Sequence, residues 1–242
     1  MKTKTPADVL PSVLSQLNQT IQKVGRILKE CPRCSSHFEI DDTFYTRTYP
    51  VVCGACNKAE SESSKERERE SLTLRWDSMC PEIFKSTNLD SLPNVRSTMK
   101  VLEWKFGPKG LLLHGETRTG KSRSAWLLLK RLHFERYSFM VLNSMAGLRY
   151  AALFGQSTNV VEEWINELIS CDVLLMDDVF KIKLTDSFEG AIFSMVDQRS
   201  EMGRPMIVTA NDTGETLKTR LTCDRSEPLL ARFREFCDPI PF

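Results

Sequence analysis

The pattern of hydrophobic and polar positions changes character near residue 73 and divides the chain into two parts. From that point on, short and nearly continuous apolar runs alternate with stretches in which apolar residues recur every three or four positions. The runs predict buried strands at residues 110–114, 139–143, 173–176, 206–209 and 239–242. The stretches predict amphipathic helices at residues 121–134, 160–169, 187–201 and 227–236. Apolar strands that alternate with helices indicate an α/β domain whose parallel sheet is covered by helices on both faces.

The N-terminal part has a different texture. Residues 1–30 carry apolar side chains at helical spacing, which predicts an N-terminal helix that packs on a partner or on its own domain. Residues 38–45 and 46–52 are rich in aromatic and β-branched side chains and favour strands. Residues 57–72 are polar and highly charged, which predicts a linker or an exposed helix. The expected organisation is a helix at 1–30, a cysteine module at 31–56, a charged linker at 57–72 and an α/β core at 73–242.

Composition narrows the class of protein. The chain has 242 residues, 41% of them hydrophobic, and a formal net charge of +1. This length suits one α/β domain with a small additional module, and the small net charge means that nucleic acid could be bound only through local basic patches. No apolar run approaches the length of a membrane span, and charges and prolines interrupt residues 1–14, unlike a secretory signal. We therefore expect a cytoplasmic protein that makes no membrane contact.

A phosphate-binding loop follows the first predicted strand of the α/β core. The pattern GxxxxGK[ST] is matched by Gly115, Glu116, Thr117, Arg118, Thr119, Gly120, Lys121 and Ser122. The glycines let the backbone wrap closely around phosphates with its N–H groups directed inward, and the start of the next helix adds partial positive charge. Lys121 is expected to reach the β- and γ-phosphates and Ser122 to bind Mg²⁺. The motif predicts ATP binding, and its alternative is a chance match on a glycine-rich turn.

Two carboxylates end a later apolar strand. Asp177 and Asp178 directly follow residues 173–176. After a phosphate-binding loop, Asp177 is expected to hold Mg²⁺ through water and Asp178 to orient or deprotonate the attacking water. Without that loop, a helix cap or a turn would explain the pair equally well. Many ATPases of this kind have Glu at the second position, so the shorter Asp178 predicts slow hydrolysis or a site that a partner completes.

A neutral amide ends the next strand. Asn211 follows residues 206–209 closely, and a neutral amide near the γ-phosphate can position a water molecule. We therefore expect Asn211 to act in the site together with Asp177 and Asp178. A turn-forming asparagine is the alternative, because residues 211–214 read Asn-Asp-Thr-Gly.

Four of the eight cysteines are arranged as two CxxC pairs. Cys31 and Cys34 are followed after eighteen residues by Cys53 and Cys56. Four thiolates from two tight turns can close a tetrahedral Zn²⁺ site of the structural type, whose binding energy would fold a small module. His37 in place of one cysteine, an Fe–S cluster and four unligated cysteines are the alternatives.

An ordered set of these motifs resembles a known group of ATPases. The set comprises residues 109–123, residues 174–178 with Lys181 and Lys183 behind them, residues 193–199 and residues 205–211. It is similar to the DnaC/DnaI-type helicase loaders and the related IstB-type transposition ATPases of the AAA+ class, over roughly residues 73–242. The resemblance implies a P-loop NTPase with a five-stranded parallel sheet of order 5-1-4-3-2. A zinc module ahead of the core is similar to the DnaI-type arrangement.

The same resemblance implies partners and further site residues. It implies ATP-dependent assembly, contact with single-stranded DNA and delivery of a ring helicase to DNA, with the N-terminal part gripping the helicase. AAA+ sites often lie between subunits and take an arginine from the neighbour, and Arg225 and Arg232 are the candidates here. The sequence lacks an evident helical lid after residue 242, which puts ring or spiral assembly in question. DNA contacts are expected from the basic residues Arg118, Arg123, Lys130, Arg131, Arg136 and Arg149.

These expectations define one leading function and two competitors. The leading one is an ATPase, converting ATP and water to ADP and phosphate, that loads a hexameric replicative helicase onto single-stranded DNA. The first competitor is an IstB-type ATPase that assists a DNA transposase. The second is an ATP-gated adaptor that signals through nucleotide-dependent homo-oligomers and hydrolyses little ATP. The expected cofactors are ATP, Mg²⁺ and Zn²⁺.

Overall fold

A computed structural model of the chain describes residues 25–154, 157–181, 185–211 and 223–242, and gives only the backbone of residues 154, 158 and 223–226. The chain divides into two compact units, residues 1–70 and residues 71–242. The division lies two residues before the linker end expected from the sequence.

The first unit contains a hairpin and two helices. Strand β1 (Arg26–Glu30) pairs antiparallel with β2 (His37–Asp41), with Ile27 opposite Ile40. Helix α1 (Phe44–Thr48) follows, and helix α2 (Gly54–Met79) begins in this unit and ends in the next. Among its described residues, only Cys31, Thr46 and Cys53 are buried. Residues 25–70 therefore contribute almost no hydrophobic core of their own.

Two predictions for this unit are wrong. The expected N-terminal helix does not reach residue 30, because Arg26–Glu30 is a strand held by backbone pairing to His37–Asp41; residues 1–24 lie outside the described residues. The expected strand after residue 43 is also wrong. Thr43 caps helix α1 through a reciprocal pair of hydrogen bonds with Thr46, and this capping box overrides the β-propensity of the aromatic residues.

The charged segment 57–72 is helical. It lies inside α2, and its side chains from residue 57 to residue 71 are exposed. Of the two alternatives for this segment, the structure therefore has the exposed helix. Trp76, near the end of α2, is buried in the second unit.

The second unit is an α/β domain. Two short helical segments, α3 (Glu82–Lys85) and a 3₁₀ turn (Leu89–Ser91), precede helix α4 (Val95–Glu103). The alternating part then consists of β3 (Gly110–His114), α5 (Lys121–Phe134), β4 (Phe139–Asn143), α6 (Ala146–Phe154), α7 (Thr158–Ser170), β5 (Val173–Asp177), a 3₁₀ turn (Val179–Lys181), α8 (Asp186–Glu201), β6 (Met206–Ala210), α9 (Cys223–Phe236) and β7 (Cys237–Pro241). Every strand and helix predicted for residues 110–242 is present, with ends shifted by at most four residues.

The five strands of this unit form one parallel sheet in the order β4-β5-β6-β3-β7. The labels β1 and β2 belong to the hairpin of the first unit. These chain-wide labels therefore cannot be compared directly with the expected order 5-1-4-3-2. Counted among the sheet's own strands and read from the β7 edge, the order is 5-1-4-3-2. The strands β3, β5 and β6 are therefore central, and their carboxyl ends meet at one edge of the sheet.

Alternate side chains of the central strands enter two separate cores. Leu113, Leu175 and Ile207 pack toward α5, and Met176 and Val208 pack toward α7, α8 and α9. This double burial explains why the strands read as continuous apolar runs.

A buried arginine lies at the other end of the sheet, where two strands begin. Arg199 of α8 is fully buried, and its guanidinium donates hydrogen bonds to the carbonyl oxygens of Leu168, Ile169, Cys171, Asp172 and Pro205 at 2.7–3.3 Å. These oxygens belong to the end of α7 and to the residues that precede β5 and β6. Arg199 therefore anchors the amino ends of both strands, opposite their carboxyl ends.

None of the helices in the described residues combines the length and hydrophobicity needed to cross a bilayer.

Candidate nucleotide site and cysteine cluster

The loop between β3 and α5 has the conformation that phosphate binding requires. Gly115 and Gly120 have φ values of 139° and 101°, which favour glycine. A Cβ at Gly115 would also lie 2.2 Å from the carbonyl oxygen of Phe242. Arg118, at the tip of the loop, also has a positive φ of 65°. Helix α5 begins at Lys121, so its free N–H groups point into the loop.

Lys121 lies folded against this loop. Its side chain is buried, and Nζ donates hydrogen bonds to the carbonyl oxygens of Gly115 at 2.9 Å and Glu116 at 2.5 Å. Burial lowers the pKa of the Lys121 ammonium, while the nearby charges of Asp178 and Asp177 raise it. The ammonium is thus held at the centre of the loop by weak neutral acceptors that an anionic phosphate could replace.

Ser122 and Asp177 meet across two elements. The Ser122 hydroxyl donates to Oδ1 of Asp177 at 2.7 Å, and the hydroxyl of Thr209 donates to the same oxygen at 2.7 Å. Burial raises the pKa of the Asp177 carboxyl, and the two hydroxyl donors lower it. In the part of the chain that the structure describes, Oδ2 of Asp177 accepts no hydrogen bond. These oxygens fit Mg²⁺, which prefers a carboxylate and hydroxyl or water oxygens.

Asp178 and Asn211 form a second pair beside the first. Asp178 has a left-handed φ of 51°, and its backbone N–H donates to Thr209 Oγ1 at 3.0 Å. Nδ2 of Asn211 donates to Oδ1 of Asp178 at 2.7 Å. The carboxylate of Asp178 is therefore oriented by a neutral amide at the end of the neighbouring strand.

These groups share one cleft of about 860 Å³. It is lined by the loop residues 117–122, by Asp178, Lys181 and Asn211, and on another side by Phe84, Leu92 and Pro93. Loop amides, an ammonium and a carboxylate can receive a polyphosphate and a water, and the apolar side can receive a flat ring. The predicted residues Lys121, Ser122, Asp177, Asp178 and Asn211 are thus brought together as expected.

Sequence reasoning missed two contributors to this site. The first is Thr209, a buried polar residue at the carboxyl end of an apolar run, directly opposite Asp177 in the β5–β6 pairing. That position is the signal that could have identified it. The second is the segment at Phe84 and Leu92–Pro93, which precedes the first core strand and carries no motif.

The segment at Phe84 is held in place by the residue after Ser122. Arg123 donates hydrogen bonds to the carbonyl oxygen of Ile83 at 2.9 Å and to the hydroxyl of Thr87 at 3.1 Å. Phe84 itself stacks on Trp126 of α5, with ring centroids 5.3 Å apart. The phosphate loop and the apolar side of the cleft are therefore joined through one helix.

The structure describes the side chain of one of the two arginines expected to reach a neighbouring subunit. The side chain of Arg225 lies outside the described residues. Arg232 is paired within its own chain, with Asp197 at 2.6 Å and with Glu235 at 3.6 Å. Arg232 would have to leave these partners to reach a neighbouring subunit.

Several basic residues expected to contact DNA have structural partners. Arg123 holds the segment described above, and Arg131 donates to the carbonyl oxygens of Leu102 and Trp104. Arg149 lies over the ring of Trp164 at 5.3 Å. Arg118 lines the cleft, and Lys130 is exposed. Three of these five residues are therefore engaged within the chain, and the five do not form one free basic patch.

The four predicted cysteines form a compact cluster in the first unit. The sulfur atoms of Cys31, Cys34, Cys53 and Cys56 all lie within 4.8 Å of one another, with Cys34 and Cys53 at 3.7 Å. Tetrahedral zinc with Zn–S bonds of about 2.3 Å places its sulfurs about 3.8 Å apart. Backbone N–H groups of Cys53 and Cys56 point at the sulfurs of Cys31 and Cys53 at 3.4 and 3.5 Å. His37 is not part of this cluster.

The pKa values of these thiols favour metal binding. Donation from the Cys53 backbone N–H lowers the pKa of Cys31 to about 6. Hydrogen bonds with the neighbouring thiols, first of all Cys34, raise the pKa of Cys56 to about 12, and repulsion from the negative charge of Cys31 adds to this rise. A divalent cation would remove that repulsion, so the donor set fits a closed metal site.

Similarity to known proteins is found at the level of structure. No family model and no curated protein sequence matches the chain. Solved structures do match. The DnaC helicase loader aligns at 18% identity with a TM-score of 0.56, over 67% of this chain and 99% of that one. DnaI aligns at 18% identity with a TM-score of 0.52, over 67% of this chain and 91% of that one.

A replication initiator provides a third match. DnaA bound to AMPPCP and single-stranded DNA aligns at 15% identity with a TM-score of 0.53, over 65% of this chain and half of that one. Identities this low establish the fold alone. The chain therefore shares its α/β fold with these helicase loaders and this replication initiator.

Proposed function

We propose that this protein is an ATP-dependent replication accessory protein that loads a hexameric helicase onto single-stranded DNA. The observation that carries the proposal is a convergence of three elements of the α/β fold: Lys121, Ser122, Asp178 and Asn211 line one cleft, and Asp177 accepts a hydrogen bond from Ser122. Each side chain has the chemical type that its position requires, either to bind ATP or to direct a water molecule at the γ-phosphate.

The nucleotide part of the proposal follows from the cleft. Lys121 and the loop amides of residues 115–122 bind the phosphates of ATP, and Ser122 and Asp177 hold Mg²⁺, which neutralises phosphate charge. Asp178 accepts a proton from the attacking water, and Asn211 fixes the direction of that carboxylate. The products are ADP and phosphate. Turnover is slow, because the aspartate is one methylene shorter than the usual glutamate.

The metal part of the proposal concerns the first unit. Cys31, Cys34, Cys53 and Cys56 hold one Zn²⁺ ion in a structural site. Its support is that Thr46 is the only other buried residue between residues 25 and 70, so metal binding would supply folding energy to a segment with little buried apolar surface.

The proposed partners are inferred from the similarity to solved structures. The matched DnaC is described as a helicase loader, and the matched DnaA was solved with single-stranded DNA. We infer a replicative helicase and single-stranded DNA as the partners of this chain, in the cytoplasm, with nucleotide-dependent self-assembly. In such an assembly Arg225 or Arg232 would reach the γ-phosphate of a neighbouring subunit, and Arg225 is the better candidate because Arg232 is already paired.

A second candidate has its own observation. The hydrogen bond from Asn211 to Asp178 holds the carboxylate at a fixed place, as a binding switch with little hydrolysis would need. The protein would then be an ATP-gated adaptor. An IstB-type ATPase that assists a transposase would use the same site, and only its partner would differ.

One experiment separates these functions. The full-length protein is mixed with a purified hexameric replicative helicase, with ATP, ADP or no nucleotide, and analysed by size-exclusion chromatography with light scattering. Turnover of ATP is measured in parallel, with and without single-stranded DNA. Loading predicts ATP-dependent co-elution and turnover that DNA stimulates. Co-elution without turnover favours the adaptor, and the absence of any complex contradicts helicase loading.

A further inference from the structure

The hydroxyl of Thr209 touches both acidic residues of the cleft. It donates to Oδ1 of Asp177 at 2.7 Å and accepts the backbone N–H of Asp178 at 3.0 Å. Thr209 is buried, with 1% of its surface exposed, and lies directly opposite Asp177 in the parallel pairing of β5 and β6. One hydroxyl therefore fixes the side chain of the first acid and the backbone of the second.

The two donors to Asp177 are not equivalent. Ser122 belongs to the phosphate loop, is only half-buried and is the expected ligand of Mg²⁺. A serine hydroxyl that binds a cation through a lone pair can still donate its proton to Asp177, so Ser122 can contact both the cation and the carboxylate. Thr209 is buried on a central strand and does not line the cleft, so its hydroxyl supports the carboxylate without being a candidate ligand itself.

The second contact of Thr209, with the backbone N–H of Asp178, supports a strained backbone conformation. Asp178 has a φ of 51°, a backbone conformation that residues other than glycine adopt at a cost. The bond from its N–H to Thr209 compensates that cost and directs the Asp178 side chain toward Asn211.

We propose that Thr209 is a positioning residue that presents Asp177 to Mg²⁺ and holds Asp178 in its left-handed conformation. This inference rests on the proposed binding of Mg²⁺ and ATP. Supporting groups of this kind commonly contribute about 10- to 100-fold to metal affinity. A valine has the same shape as threonine without the hydroxyl, so the loss of both contacts can be isolated in one substitution.

The test is a Mg²⁺ titration of nucleotide binding with full-length protein and a fluorescent ATP analogue. In Thr209→Val, the Mg²⁺ concentration at half-maximal effect should rise about 10- to 100-fold, while the affinity for the analogue in EDTA stays within about twofold. Thr209→Ser keeps the hydroxyl and should respond like the wild type. Ser200→Ala removes another buried hydroxyl, from a helix remote from the cleft, and should leave both affinities unchanged.

Two results would overturn the inference while leaving the proposed function intact. One is a Thr209→Val protein with the wild-type Mg²⁺ response, and the other is a Thr209→Ser protein that loses this response. If Thr209→Val does not fold, as judged by circular dichroism, Thr209→Ala and Thr209→Ser provide the same comparison. A wild-type protein that fails to bind the analogue at any Mg²⁺ concentration would instead overturn the proposed function, and the inference with it.

Discussion

Nδ2 of Asn211 lies 2.7 Å from Oδ1 of Asp178 and donates a hydrogen bond to it. The two residues follow neighbouring central strands, and Asp178 adopts a left-handed backbone conformation with a φ of 51°. A neutral amide thus sets the direction of the carboxylate without removing its charge. In the proposed mechanism, this pair determines where the attacking water can lie.

Asp178→Asn should separate binding from hydrolysis. The amide keeps the size of the side chain but cannot accept a proton from water, so turnover should fall about 10²- to 10⁴-fold while ATP affinity changes little. Phosphate release and equilibrium binding are measured on the same preparation. Asp238→Asn, an exposed carboxylate outside the cleft, is the matched control. Unchanged turnover in Asp178→Asn would remove Asp178 from the mechanism.

Asn211→Ala should have a smaller effect. It removes one hydrogen bond to a charged group, which corresponds to about 10- to 100-fold in turnover. Asn211→Asp should be worse than Asn211→Ala, because a second negative charge would face Asp178. The reverse ranking, measured by phosphate release, would show that Asn211 does not orient the carboxylate.

Arg123→Ala should loosen the apolar side of the cleft. It frees Ile83 and Thr87 from α5 and with them the segment that carries Phe84. We expect ATP binding to weaken about 5- to 10-fold, the equivalent of one hydrogen-bonded contact. Ile83→Ala is the control, since it removes an exposed side chain and keeps the carbonyl that Arg123 contacts. Equal affinities for the two variants would argue against a role of this segment in binding.

Zinc removal should unfold the first unit and spare the second. One zinc per chain is expected by elemental analysis, and Cys53→Ser should lower this content, while Cys80→Ala in the α/β unit should not. Zinc binding contributes on the order of 10 kcal/mol to such modules. Chelation should therefore make residues 25–56 sensitive to protease but leave ATP binding intact. A zinc-free protein with a protected first unit would contradict this assignment.

Arg199→Met should destabilise the α/β unit. The substitution removes one donor from each of five carbonyl oxygens at the amino ends of the strands, and among the described residues only those of Cys171 and Pro205 keep another N–H donor, from Arg204 and Leu174. Because each buried unsatisfied acceptor costs about 1–3 kcal/mol, the free energy of unfolding should fall by at least about 3 kcal/mol. Urea denaturation measures this change, and Arg96→Ala, on an exposed position of α4, should be neutral. A loss below about 1 kcal/mol would mean that water replaces the guanidinium.

The strands and the phosphate loop could be predicted because their physics is local. A strand buried on both faces must be apolar along its buried length, and residues 110–113 and 173–176 satisfy this condition in the sequence itself. The loop needs glycine at Gly115 and Gly120, where φ is positive. The parallel order of the strands then brings Ser122, Asp177 and Asn211 together without further information.

The rest depends on partners distant in sequence. Arg26–Glu30 reads as the end of a helix, but pairing with His37–Asp41 makes it a strand. Thr209 gains its role only from Asp177 on the neighbouring strand, and Phe84 gains its place from Arg123 and Trp126. Periodicity within a segment contains none of these contacts.

The central claim is that the cleft around Lys121 binds ATP. Its most direct test is calorimetric titration of ATP with excess Mg²⁺ into wild-type protein, Lys121→Ala and Lys100→Ala, the last being an exposed lysine on α4. The loss of a buried, charged hydrogen-bond donor should weaken binding by Lys121→Ala about 10- to 100-fold, while Lys100→Ala should match the wild type. A Lys121→Ala protein that binds ATP with wild-type affinity would contradict the account.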